Sequence, residues 1–145
     1  ELELDDPGQR VSLYVRQSPD GAESTGVVYD GAAGTLAVDL SRSSLDSSII
    51  YPYYRAASRQ VPLLPEHEQT VQAQVAPFQL REGERLELRL FLDRSILEVF
   101  ANGRQCITQR IYPTRSDSTQ VSLGAENGGI TIRSFEAWDM APTQV

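Results

Sequence analysis

Between Leu86 and Tyr112 the chain alternates apolar and polar residues almost without a break, and Asn102-Gly103 punctuates the alternation. Leu86, Leu88, Leu90 and Leu92 fall on one face of an extended strand, with Glu87 and Arg89 on the other. A period of two is the signature of a strand with one face buried and one in water. Asn-Gly suits a type I′ turn, because both central residues there need positive φ. Residues 86–112 therefore read as one hairpin, with Asp93 and Glu98 both in its first arm.

The same period recurs along the rest of the chain. Val11, Leu13 and Val15 alternate with Ser12, Tyr14 and Arg16, and Pro19-Asp20-Gly21 follows as a turn. Leu36, Val38 and Leu40 alternate with Ala37 and Asp39, Val71, Ala73 and Val75 with Gln72 and Gln74, and Ile130 and Ile132 with Thr131. No helical period of ten residues or more stands out. Many short strands separated by turns predict an all-β fold without substantial helix, a two-sheet antiparallel β-sandwich of jelly-roll or concanavalin type. Residues 41–69 are irregular, broken by Pro52, Pro62 and Pro65, and hold the cluster Tyr51, Tyr53 and Tyr54.

At 145 residues the chain reads as a single domain, 1–145, long enough to bury roughly two thirds of its unfolded surface. Its net charge of −7 argues against nucleic acid and against an anionic membrane surface as partners. All 13 basic residues are Arg. No apolar run approaches the ~18 residues of a transmembrane helix. The opening Glu1-Leu2-Glu3-Leu4 alternates like a strand and has no signal-peptide character, so the expectation is a domain excised from a longer polypeptide.

The candidates for acid–base chemistry are few. A glycosidase needs two carboxyls about 5 Å apart for retention or about 6.5–9.5 Å apart for inversion. Asp93 and Glu98 on one continuous strand would stand roughly 16 Å apart on opposite faces, which removes them as a catalytic pair. The expectation is instead that Asp93 anchors a turn and Glu98 pairs with an arginine across the strand. His67, the only histidine, reads as a solvated loop residue, and the lone Cys106 as a small buried hydrophobe. No catalytic residue, metal site or cofactor is expected. Tyr51, Tyr53 and Tyr54 are the candidate contacts to a sugar or a neighbouring domain, whereas Trp138 is expected to pack.

The run Leu90-Phe91-Leu92-Asp93-Arg94-Ser95-Ile96-Leu97-Glu98-Val99-Phe100-Ala101-Asn102-Gly103 and the following Cys106-Ile107-Thr108-Gln109-Arg110-Ile111-Tyr112-Pro113 resemble the C-terminal module of glycoside hydrolase family 32. Asp39 with Ser41-Arg42-Ser43-Ser44 resembles that module's Asp-x-Ser-Arg-Ser-Ser stretch, and residues 132–140 its closing strand. The resemblance makes Asp93, Arg94, Ser95, Glu98, Asn102 and Gly103 structural motif residues. It implies a β-sandwich following a five-bladed β-propeller in an invertase, levanase or inulinase. The propeller would carry the catalytic Asp and Glu motifs, none of which occurs here, and would be this module's partner in the same polypeptide. The resemblance further implies sucrose or fructan as the parent enzyme's substrate, an extracellular location and room for oligomer contacts. A fructan-binding module is the alternative reading.

Overall fold

The computed structural model describes residues 1–51 and 71–141, and most strands fall where the sequence alternates. They are β1 (Leu2–Leu4), β2 (Arg10–Gln17), β3 (Ser24–Asp30), β4 (Thr35–Arg42), β5 (Ala73–Pro77), β6 (Leu88–Asp93), β7 (Ile96–Ala101), β8 (Gln105–Arg110), β9 (Gln120–Glu126) and β10 (Ile130–Ile132). All pairings are antiparallel, and no helix occurs among the described residues.

One layer is a five-stranded sheet in the order β5-β4-β3-β2-β9. The other combines β10-β1 with β6-β7-β8. These two pieces are stitched together where Leu2 and Leu86 exchange backbone hydrogen bonds of 2.8 and 2.9 Å. The antiparallel two-sheet sandwich expected from the sequence is the observed architecture.

The inward rows of both layers form one core. Val11, Val27, Tyr29, Leu36 and Val38 come from the five-stranded sheet, and Leu97, Val99, Ala101 and Ile107 from the hairpin sheet. Each fully buried Val or Leu contributes about 1.5–3 kcal/mol relative to exposure. Phe78 closes one side of the core, its ring edge-on to Tyr29 at 5.8 Å. Strand β3 lies centrally and is buried on both faces, so its run of apolar residues does not alternate.

The closing strand expected over 132–140 is shorter in the structure. Pairing with β1 ends at Ile132, and residues 133–141 continue without strand structure.

Candidate functional site

Hairpin β6-β7-β8 carries the motif residues, and its local geometry explains most of them. Asn102 and Gly103 have φ of 49° and 60°, and Arg104 N–H closes the turn onto the Ala101 carbonyl at 3.0 Å. That is the type I′ pattern the dipeptide predicts. Asn102 does more than turn the chain. Its Oδ1 accepts from Glu87 N–H at 2.9 Å and its Nδ2 donates to the Arg85 carbonyl at 2.7 Å, fixing the entry to β6.

The first arm is not one continuous strand. The chain reverses at Arg94-Ser95, so that Asp93 pairs with Ile96 and Phe91 with Glu98. Arg94 takes φ of 51°, the positive φ that the first residue of a type II′ turn requires. This corrects the separation inferred for Asp93 and Glu98. Both lie on the outer face of neighbouring strands, diagonal to one another, at a Cα spacing of about 7–8 Å. Asp93 is the last residue of β6 before this turn and pairs with Ile96 across it. Glu98 has Phe91 and Thr108 as its register neighbours in place of an arginine.

Outward side chains of this sheet form three rows: Arg89, Phe100 and Cys106; Phe91, Glu98 and Thr108; Asp93, Ile96 and Arg110. Phe91 is 42% exposed and meets Phe100 edge-on at 5.8 Å. Cys106 is exposed, contrary to expectation, because it falls on the outward phase of β8 while Ile107 takes the buried one. Ser95 anchors the end of the sheet through its carbonyl, which accepts from Ile111 N–H at 2.9 Å. A glycosidase holds its substrate between carboxylates in a cleft. Asp93 and Glu98 stand side by side on an open sheet face and point the same way. That arrangement offers no enclosure for a sugar.

Of the tyrosines, Tyr51 is buried and stacks on Tyr112 with ring centroids 6.1 Å apart, so its face is already occupied. Tyr53, Tyr54 and His67 lie outside the described residues. Trp138 is 77% exposed, against the expectation that it packs.

The most elaborate polar cluster is one that alternation could not reveal. Glu23 is fully buried at the end of the β2–β3 turn. Its carboxylate accepts from Thr114 N–H at 2.7 Å, Thr114 Oγ1 at 2.8 Å, Arg115 N–H at 3.1 Å, Ser118 Oγ at 2.6 Å and Leu45 N–H at 3.2 Å. Burial pushes this carboxyl up, but the hydrogen bonds from Ser118, Thr114 and Arg115 outweigh it and hold the group below its ordinary value. With its lone pairs spent on its own chain, Glu23 ties three loops together and is closed to substrate. The Ser41-Arg42-Ser43 motif lies nearby: Ser43 and Thr25 share a buried hydroxyl–hydroxyl bond of 2.6 Å, and the Arg42 guanidinium lies over the Tyr14 ring at 5.9 Å.

A shallow groove of about 400 Å³ crosses the outer face of the five-stranded sheet. Arg10, Asp30, Asp39 and Ser41 supply polar groups and Val75 an exposed apolar one. Arg10 and Asp30, register partners on β2 and β3, pair at 3.2 Å in its lining.

The model of the C-terminal domain of glycosyl hydrolases family 32 matches residues 1–139, the whole described sandwich. The chain belongs to that family. It is 32% identical over 130 residues to a levanase of Bacillus subtilis, a match covering 89% of this chain and 16% of that protein. It is 41% identical over 139 residues to an acid β-fructofuranosidase of Vicia faba, covering 88% and 18%. The chain therefore spans less than a fifth of the length of either relative. Its fold resembles part of the exo-inulinase of Aspergillus awamori, with a TM-score of 0.62 at 23% identity, covering 88% of this chain and 22% of that one.

Proposed function

We propose that this family 32 domain is the non-catalytic module of a β-fructosidase acting on sucrose or a fructan, and that it stabilises a preceding catalytic β-propeller. The observation that carries this reading is the family match over 1–139, which accounts for the entire sandwich. The open placement of Asp93 and Glu98 and the internally spent Glu23 agree with a structural role. Domain interfaces within one chain bury about 600–1,500 Å², the scale of contact this reading requires. An extracellular setting and contacts between copies belong to the same proposal.

The test has two parts. The purified chain should release no fructose from sucrose, inulin or levan. Deleting these residues from the longer polypeptide should lower the remainder's Tm by several degrees. Fructose release by the chain alone, or an unchanged Tm of the remainder, would overturn the proposal. Secretion is checked by partitioning fructosidase activity between cells and medium.

The groove beside Arg10, Asp30 and Val75 favours a second reading, a weak fructan-binding module. With Tyr51 buried, the groove is the surface among the described residues that such binding would use, and Tyr53 and Tyr54 lie outside them. Titration calorimetry with levan and inulin separates the readings, because saturable heat lost on Arg10→Ala requires a sugar site.

A further inference from the structure

The two sides of the sandwich end differently. On one side β5 is backed by the hairpin sheet: Gln105 Nε2 donates to the Pro77 carbonyl at 2.8 Å, and the Arg104 guanidinium lies over the Phe78 ring at 5.2 Å. On the other side the edge strands β9 and β10 are joined by residues 127–129 and pair only inward, with β2 and β1. Among the described residues, no backbone group outside β2 bonds to Gln120–Glu126. Natural edge strands are kept from pairing by shortness, by proline or by charge. Accordingly, β10 has three residues and β5 ends in Pro77. Strand β9 runs for seven residues without proline, and its one charge, Glu126, stands at its end. Leu123 and Ala125 lie opposite Leu13 and Val11 in the inward row. Val121 continues that row, yet it is 51% exposed because the layer stops at this edge.

We infer that β9 is a pairing edge, and that its occupant is the β9 of a second copy, run antiparallel about a two-fold axis at Leu123. The strand is complementary to itself in that register. Leu123 stands opposite its own mate, Ser122 opposite Gly124, Val121 opposite Ala125 and Gln120 opposite Glu126 of the second copy. The inward row then runs on across the axis, and Ala125 of the second copy covers Val121. On the outward face Gly124 leaves room, since a Cβ there would meet nothing within 4 Å. Charge favours the same register. The two Glu126 carboxylates stand at opposite ends of the joint, about 20 Å apart along the strands, each beside a neutral Gln120 amide that can donate to it. A single strand pair is a small interface, so the dimer is weak and fills with concentration.

The inference rests on the proposed function only for a contact between copies, which it gives a surface and a register. Sedimentation equilibrium of the longer polypeptide and of this chain tests it. The expected result is a dimer whose fraction rises with concentration, weakened about tenfold or more by Val121→Lys at unchanged Tm. Val121 is half-exposed, so a lysine there keeps its stem on the core and its charge in water. Register is read by oxidation in a Cys106→Ser background, with the cross-linked peptides identified by mass spectrometry. Ser122→Cys chains mixed with Gly124→Cys chains should join through that pair. Neither variant should do so alone, because each position lies about 8 Å from its own mate and a disulfide spans about 4.4–6.8 Å between Cα atoms. A longer polypeptide that stays monomeric up to about 1 mM overturns the inference, even where this chain alone dimerises, and assigns the edge to the rest of the polypeptide. Dimers that Val121→Lys leaves unchanged, or cross-links confined to the single-variant samples, also overturn it and place the contact elsewhere. Where Val121→Lys lowers Tm, the cross-link pattern decides. A polypeptide that dimerises through β9 and releases no fructose supports the pairing and overturns the enzyme reading alone.

Discussion

Ser118 Oγ donates to Glu23 Oε2 at 2.6 Å, although ninety-five positions separate the two residues. Thr114 and Arg115 approach the same carboxylate through backbone N–H groups, so one buried side chain determines how the 112–118 loop sits on the sandwich. Glu23→Gln keeps the shape but turns an NH₂ group toward donors. It should lower stability by about 1.5–3 kcal/mol, the range for hydrogen bonds to a charged group. Ser118→Ala should cost about 1 kcal/mol, with urea midpoints as the readout for both.

The pH dependence follows from the same carboxylate. Its folded-state value lies below the ordinary 4.5, so the unfolded chain binds its proton more readily. Stability from Glu23 is therefore fully present above about pH 4.5 and falls as pH drops through the folded value. Thermal melts between pH 6 and pH 3 should show the loss in the wild-type chain. The acid limb should be shallower in Glu23→Gln, and parallel limbs would contradict the assignment.

Asn102 has two separable duties. Asn102→Gly keeps the left-handed turn but removes the bonds to Arg85 and Glu87, costing about 1–2 kcal/mol. Asn102→Ala adds the strain of φ near 49° and should cost about 1 kcal/mol more. Equal losses for the two variants would assign everything to the side-chain bonds.

Gly31 lies against the 7–8 backbone so closely that a Cβ would fall 1.8 Å from the Pro7 carbonyl oxygen. Neither side is a flexible side chain, so Gly31→Ala must shift the backbone. We expect about 3 kcal/mol or more of destabilisation, beyond ordinary overpacking. Chemical denaturation of this variant beside Gly21→Ala, which meets no neighbour, isolates the clash from strain.

Asp93→Asn and Glu98→Gln should leave fructose release by the longer polypeptide within about twofold, since acid–base residues contribute about 10²–10⁴-fold. A loss of a hundredfold in kcat with unchanged Tm would place one of these carboxylates in the chemistry.

The strands were legible wherever one face is buried and the other wet, as at Val11–Val15 and Leu36–Leu40. The Asn102-Gly103 turn was legible because its residues suit positive φ. The turn at Arg94-Ser95 was hidden, since Arg94 adopts positive φ without being Gly or Asn and the apolar alternation runs on through it. Missing that turn placed Asp93 and Glu98 on opposite faces. Glu23 was hidden for a different reason. A buried carboxylate is tolerable only through partners twenty to ninety-five positions away, which local patterning does not register. Cys106 was misjudged because hydrophobicity alone does not give the phase of a strand.

The corner formed by β1 and β10 also has a mechanical consequence. The first residue of β1 pairs with the last of β10, so the chain enters β1 and leaves β10 at the same end of the ladder. Tension drawn between them peels the two strands apart one hydrogen bond at a time, instead of loading all of them in shear. Force applied across this corner therefore meets the β1–β10 hydrogen bonds singly, and Leu2 is then held by its two bonds to Leu86.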